Sequence, residues 1–435
     1  MKKIKIFLFT TILSLLGVIN VYAKDTVYSV NKYDDERLMY IETSFDKNHK
    51  KDGNVTAGIF LKEKIEKDEE ELDNYQVMLI KYKTDGKVAW TYRYGRTSSE
   101  SIDALLYTYN SLNNIDGYLM VISNSYDIET ENIPRNLFVK IDLDGKLVFE
   151  KEIDNINIKK IIPTYSIDDV VDGYIGITDT SIIKYDKDLN LIYKKDYPNI
   201  KYLDIIDIYN EKEITGYALI TEEIVDNKPN IKLITYNTTF TESKTIQENI
   251  ELDNIKLSNS NTGFIVYGIT NEVKLKKSDR SYHISKYNNS LEEEWESIGN
   301  IPFSKDSNIL LKTIKNKYFL LYKNVDNSYE IIKLDEEGLL KNKIKKINNS
   351  YYNFINFSIS NKEKDLYFVG QLSCPEDEKC DYDSNSLYLV SNEDKVIEVE
   401  DSTSANILLG IAIFIVAIGT AIYVVKSKGI KNKKK

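Results

Sequence analysis

The chain has 435 residues, 42% of them hydrophobic and 33 of them tyrosine, a composition that excludes a disordered polymer. Lysine and arginine number 58 against 68 acidic residues, for a formal net charge of −10. Two histidines and two cysteines leave little material for a nucleophilic triad, a histidine-rich metal centre or a structural zinc site.

Met1–Ala23 reads as a secretory signal peptide. Lys2, Lys3 and Lys5 precede the apolar run Ile6–Val21, and Val21-Tyr22-Ala23 offers a small-residue cleavage site. No cysteine stands near it, so a lipid anchor is not expected. Residues 24–400 then read as one extracellular domain of repeated units covering roughly 36–94, 103–153, 160–198, 202–246, 251–298, 308–346 and 354–400. In four of these a lysine precedes an aromatic by nine residues: Lys81 and Trp90, Lys140 and Phe149, Lys184 and Tyr193, Lys286 and Trp295. Each pair brackets a turn between two short apolar runs, the pattern of a β-hairpin. Thr235, Lys333 and Val390 hold the equivalent lysine position elsewhere, and successive positions lie 44 to 59 residues apart. Between the hairpins a Gly-aromatic pair (Gly117-Tyr118, Gly173-Tyr174, Gly216-Tyr217, Gly263-Phe264) opens a further strand, which gives four strands per unit. The stretch 62–74, KEKIEKDEEELDN, has too few apolar residues for a packed face and reads as an acidic loop. Cys374 and Cys380 bracket a short loop and are expected to form a disulfide outside the cell.

Residues 401–406 form a short tether, and Ile407–Val425 follows without a charge. These nineteen residues would span about 28 Å as a helix, close to the thickness of a bilayer core. The tail 426–435 carries six lysines and no acid, which places it in the cytoplasm and the bulk of the chain outside. With the nine lysines of leader and tail set aside, 49 basic residues face 68 acidic ones, a net charge of −19. So acidic an exterior repels nucleic acid and anionic lipid surfaces.

A four-stranded sheet has two faces and cannot bury both alone, whereas sheets stacked round an axis cover one another. The expected fold is therefore all-β, a seven-bladed β-propeller ectodomain of four-stranded antiparallel blades, followed by one C-terminal transmembrane helix. Trp90, Phe149, Tyr193 and Trp295 are expected to fill the gaps between blades. The segment 77–95, VMLIKYKTDGKVAWTYRYG, resembles the repeat of the PQQ-like bacterial β-propellers, and 137–153, 181–199 and 282–300 resemble it more loosely. The resemblance implies that Thr84, Gly86, Lys87 and Trp90 dock neighbouring blades. That superfamily includes quinone-dependent dehydrogenases and non-enzymatic scaffolds. The adjacent cysteine pair of the enzymes is missing here, and no cofactor cradle is apparent.

His49 and His283 read as surface or satisfied histidines. Asp142-Leu-Asp144-Gly145 and Asp186-Lys-Asp188-Leu-Asn190 read as hairpin turns. Asp381, Asp383 and Asn385 have the alternation of a calcium loop without its distal glutamate, which makes them the one weak calcium candidate. The connections Glu63–Tyr75, Ser125–Asn136, Asn271–Ser281 and Ser373–Ser386, between second and third strands, are long and mark the expected binding face. The expected function is a membrane-anchored binding or scaffolding module at the bacterial envelope, with no catalysis, no cofactor and no nucleic acid. Its partner would be an envelope protein or a glycan, and the acidic stretch 62–74 would suit a basic protein. The rival is an envelope enzyme acting on carbohydrate or a small molecule in the central cleft. Ionisable and aromatic side chains converging on the central channel would favour the rival, and a channel of hydrophobic and small residues the binding module.

Overall fold

The computed structural model describes residues 26–28 and 35–392, the latter apart from 68–69, 96–97, 128–135, 154–155, 167, 169, 211–212, 242, 248–249, 271–280, 301–308, 315, 349–350, 361–364 and 374–383. All of these belong to one compact unit, Met1–Asp394. The leader 1–23, the tether 401–406, the apolar segment 407–425 and the tail 426–435 lie outside the described residues.

Every described element of regular structure is a strand. A short β1 (Thr26–Tyr28) begins the series. The first sheet follows as β2 (Glu36–Phe45), β3 (Lys51–Lys67), β4 (Glu70–Lys83) and β5 (Val88–Tyr94). The second is β6 (Ser98–Tyr109), β7 (Ile115–Asp127), β8 (Asn136–Asp142) and β9 (Leu147–Ile153). The third is β10 (Lys160–Tyr165), β11 (Val171–Ile177), β12 (Ser181–Asp186) and β13 (Leu191–Asp196). The fourth is β14 (Ile200–Asn210), β15 (Glu213–Val225), β16 (Lys228–Asn237) and β17 (Ser243–Gln247). The fifth is β18 (Asp253–Asn259), β19 (Thr262–Thr270), β20 (Ser281–Tyr287) and β21 (Glu293–Asn300). The sixth is β22 (Leu310–Ile314), β23 (Lys317–Lys323), β24 (Tyr329–Leu334) and β25 (Leu340–Ile347). The last sheet holds β26 (Tyr352–Ile359), β27 (Asp365–Ser373) and β28 (Ser384–Asn392). Pairing is antiparallel throughout, strand to next strand, with a two-residue link between β14 and β19 joining the fourth and fifth sheets.

Among the described residues, no cluster of buried side chains belongs to one sheet. Val55, Val77 and Leu79 of the first sheet pack with Tyr118, Met120 and Val139 of the second. The second packs in the same way on the third, and so on to the sixth and last. Leu38, Met78 and Tyr82 of the first sheet then meet Val369 and Tyr388 of the last. The first strands of successive sheets also touch one another, and β26 touches β2. Sheets that share their cores in this cyclic order form a β-propeller, with the first strand of each sheet at the axis. Second strands such as VDGYIGI are buried along nearly their whole length because neighbouring sheets cover both faces. Outer strands such as LIYKKD are largely exposed, and their charges discourage pairing with other chains.

Two expectations are corrected. The stretch 62–74 is no loop: β3 and β4 stay paired to their tip, with Glu63 opposite Asn74, Lys64 opposite Asp73 and Lys67 opposite Glu70. The first arm carries Lys62, Lys64 and Lys67 and the second Glu70, Glu71 and Asp73, a charge pattern that hydrophobic periodicity cannot reveal. The long connection expected at Glu63–Tyr75 is thus a projecting hairpin. The other correction concerns the last sheet: its four strands were expected within 354–400, of which 393–400 lie outside the described residues, but the edge place beside β28 falls to another segment. That place is taken by β1 from the other end of the chain, with Thr26 opposite Val390, Val27 opposite Leu389 and Tyr28 opposite Tyr388. The seam gains the Tyr82–Tyr388 stack at 4.1 Å between ring centroids and a bond from Asn54 Nδ2 to Tyr388 Oη at 3.0 Å. Deleting residues 24–28 should bare the edge of β28. Amide exchange at Leu389 and its neighbours is then expected to accelerate at least about tenfold, while β11 and β12 keep their protection. Unchanged exchange along β28 would show that β1 does not close the ring in solution.

Candidate binding cleft between the second and third sheets

The repeated lysine sits directly opposite its aromatic in the ladder: Lys81 faces Trp90, Lys140 faces Phe149, Lys184 faces Tyr193 and Lys286 faces Trp295. Each lysine borders a register shift; Lys286 reaches Glu294 on the outer strand at 2.6 Å, whereas Lys81 and Lys140 reach the start of the second strand of their own sheets. There Lys81 Nζ meets Asp52 Oδ2 at 2.7 Å and the Phe45 carbonyl at 2.8 Å, and Ser44 Oγ donates to Asp52 Oδ1 at 2.7 Å. The second sheet repeats this with Lys140 Nζ on Asp116 Oδ2 at 2.9 Å and Thr108 Oγ1 on Asp116 Oδ1 at 2.6 Å. In the third sheet Thr164 Oγ1 donates to Asp172 Oδ1 at 2.6 Å. A hydroxyl eight residues before an Asp-Gly pair thus ties the first strand to the second, and in two sheets a lysine adds the third. Sequence reading missed this brace, although Ser44/Asp52-Gly53, Thr108/Asp116-Gly117 and Thr164/Asp172-Gly173 carry it openly.

The aromatics meet the hairpin turn of the next sheet. Trp90 lies over Gly145 and donates from Nε1 to the Leu143 carbonyl at 3.2 Å. Trp295 lies over Gly338 in the same way and contacts the Tyr318 ring edge-on at 5.3 Å. Phe149 packs on a cluster that contains Leu189, and Tyr193 on one that contains Phe240. Gly145, Leu189, Phe240, Leu291 and Gly338 hold one turn position, all at positive φ between 57° and 84°. Ring and turn residue trade size across four of the gaps: indole over glycine, smaller rings beside leucine or phenylalanine.

The fit is incomplete between the second and third sheets, where Phe149 stands in the place of Trp90. A cleft of about 530 Å³ opens there, within the range of small-molecule sites. Thr108, Asp116 and Lys140 reach it from the second sheet, with Tyr109, Phe149, Glu150 and Lys151; Tyr174, Lys187, Asp188 and Leu189 reach it from the third. A comparable cleft of about 290 Å³ between the fourth and fifth sheets lies beside Lys244, the residue opposite Thr235 where a ring would stand.

Around the axis the inner strands carry ionisable and aromatic side chains. Tyr40 Oη donates to the Asp103 carbonyl at 2.6 Å, and Tyr107 Oη to the Thr43 carbonyl at 2.9 Å. Tyr109, Tyr165, Tyr209 and Asp207 are hydrogen-bonded in series across three sheets, and Asn259 Nδ2 donates to Asp207 Oδ1 at 2.7 Å. Asp204 pairs with Lys160 and accepts the Leu257 amide at 2.7 Å. Most of these bonds join neighbouring inner strands, so the belt ties the ring together. Burial raises the Glu42 carboxyl above its usual range despite Lys312 and Tyr107 beside it.

Asp103 is pushed up to about 6 by burial, against a hydrogen bond from Ser123. Its folded carboxyl keeps a proton that the unfolded chain releases near 3.8, so ionising it opposes folding. Stability should therefore fall as pH climbs from about 4 to 6 and stay lower above, by about 3 kcal/mol at most. Asp103→Asn should remove that slope in urea unfolding measured between pH 4 and 7. A slope that survives the substitution belongs to another group.

The remaining candidates resolve as follows. Asp142 Oδ1 accepts the amides of Asp144 and Lys146, both at 2.9 Å, and Asp186 Oδ1 those of Asp188 and Asn190 at 2.9 and 2.7 Å. These carboxylates hold hairpin turns. His49 is exposed in the turn after β2. His283 Nε2 lies 2.9 Å from Ser285 Oγ and 3.4 Å from Glu296 Oε1, so one ring nitrogen faces both. A catalytic relay needs acid and nucleophile on opposite ring nitrogens. Asn385 is buried on β28, while Asp381, Asp383, Cys374 and Cys380 lie outside the described residues.

No known family model matches the chain, and no curated protein matches it. Similar solved structures include the WD40 domain of Toxoplasma gondii coronin, 8% identical, with 87% of this chain and 89% of that one covered and a TM-score of 0.47. The Neurospora crassa Pan2 WD40 domain is 6% identical over 84% and 92%, with a TM-score of 0.46. The β-propeller domain of the Trilobed protease from Pyrococcus furiosus is 9% identical over 85% and 100%, with a TM-score of 0.45. Likenesses this distant do not speak to what the chain binds, and the architecture rests on its own strand pairing.

Proposed function

We propose that the chain is a secreted, single-span bacterial protein whose seven-bladed, PQQ-like propeller stands outside the cell membrane as a non-catalytic binding or scaffolding module. The observation that carries this reading is the cleft between the second and third sheets, where a braced lysine and carboxylate already face a small-molecule-sized space. Rigid sheets hold these groups in place, so binding orders little that is not ordered already. The leader 1–23 and the apolar segment 407–425 supply the address. Two measurements test the reading. Protease added to intact cells should digest the propeller and spare a C-terminal tag. The purified chain should retain a ligand or envelope partner without altering it chemically. A propeller protected in intact cells overturns the address, and turnover of a bound molecule overturns the binding role.

One observation favours the second reading, an envelope enzyme working at the axis: the inner strands bear ionisable and aromatic groups, among them Asp103 with its raised carboxyl. An activity that Asp103→Asn abolishes without unfolding the chain would establish it.

A further inference from the structure

We infer that the cleft between the second and third sheets is a site for a neutral saccharide, held by the Lys140–Asp116 pair and by the rings of Phe149 and Tyr109, all on the second sheet. The inference rests on the binding-module reading and adds the class of ligand.

The equivalent lysines differ in one respect. Lys81 Nζ bonds both Asp52 and the Phe45 carbonyl, and its side chain is 6% exposed. Lys140 Nζ, 15% exposed, bonds Asp116 alone among the described residues. An ammonium has three donors, so Lys140 keeps two at the cleft, whereas Lys81 keeps one. Asp116, 30% exposed, offers carboxylate lone pairs beyond those used by Lys140 and Thr108. Donor and acceptor thus stand side by side, the arrangement that two adjacent hydroxyls of a sugar ring can answer. The ring's C–H face needs an aromatic wall, which Phe149 and Tyr109 supply.

Charge decides between ligand classes. The lining has three lysines (140, 151, 187) and three carboxylates (116, 150, 188), so its formal charges cancel and it favours neither a net anion nor a net cation. It is also too polar for an acyl chain, since each buried polar group would lose its partners against hydrocarbon.

The test is titration of the purified full chain, followed by protein-observed NMR or calorimetry, with glucose, galactose, mannose, N-acetylglucosamine and their disaccharides. Glucuronic acid and glucosamine serve as charged counterparts. At least one neutral sugar should saturate the protein. Phe149→Trp, which puts an indole where the cleft opens and crowds it against Leu189, should weaken that sugar at least about thirtyfold in a chain that still unfolds cooperatively, with a lower melting temperature. Lys140→Met should weaken it about tenfold or more through the lost charge-assisted bond. If that variant unfolds, Phe149→Trp alone decides. No saturation by any neutral sugar, or binding indifferent to Phe149→Trp, overturns the inference. A charged ligand blocked by Phe149→Trp overturns the saccharide class and leaves the binding role standing, whereas turnover of a sugar overturns the binding role itself.

Discussion

Asp52→Ala is expected to lower the free energy of unfolding by about 3–5 kcal/mol, the loss typical of stranding one member of a buried ion pair. Lys81 is 6% exposed in its side chain and would keep only the Phe45 carbonyl, while Ser44 would lose its acceptor. Lys81→Met should cost less, about 1–2 kcal/mol, because Asp52 is 32% exposed and stays bonded to Ser44. The third sheet supplies the control. Thr164 bonds Asp172 there, but among the described residues no ion pair joins Asp172 to Lys184. Asp172→Ala should therefore cost only about 1 kcal/mol, the net worth of an ordinary hydrogen bond. Urea unfolding of the three variants separates these outcomes. Equal losses for Asp52→Ala and Asp172→Ala would mean that the lysine adds nothing.

Much of this fold was readable before any coordinates. Nine residues from lysine to aromatic is the length that puts the two side by side across a tight hairpin with one register shift, so the spacing was already a statement about pairing. The Gly-aromatic strands were readable because burial on both faces gives a continuous apolar run. What escaped notice lacked such a signal. β1 is three residues long, too short for any periodicity. The ribbon at 62–74 is held by backbone pairing, which a hydrophobic pattern passes over. The brace joins three strands whose separations vary: lysine follows aspartate by 29 residues in the first sheet and by 24 in the second. Without a constant spacing, only the hydroxyl and the Asp-Gly pair recur. The cleft was hidden because it arises from a difference between repeats, Phe149 for a tryptophan, and repeat reading looks for sameness.

That difference leads to the remaining large effect. Gly145→Leu is expected to destabilise the protein by about 3–5 kcal/mol, and Trp90→Phe in the same chain to recover about 2 kcal/mol of the loss. Gly145 has φ +84°, a conformation that strains any side chain by about 1–2 kcal/mol. A Cβ there would also stand 2.6 Å from the Trp90 indole, so the ring must move. The next gap shows that the strain is tolerated when room exists: Leu189 occupies the same turn position at φ 61°, 2% exposed, with Phe149 as its neighbour. Trp90→Phe with Gly145→Leu rebuilds that arrangement between the first and second sheets. By itself Trp90→Phe should cost about 1–3 kcal/mol, through lost ring contact and the lost bond to the Leu143 carbonyl. A double-mutant cycle by chemical denaturation reads the coupling directly. Strictly additive losses would mean that ring and turn residue do not share one space, and the size complementarity across the gaps would then be coincidence.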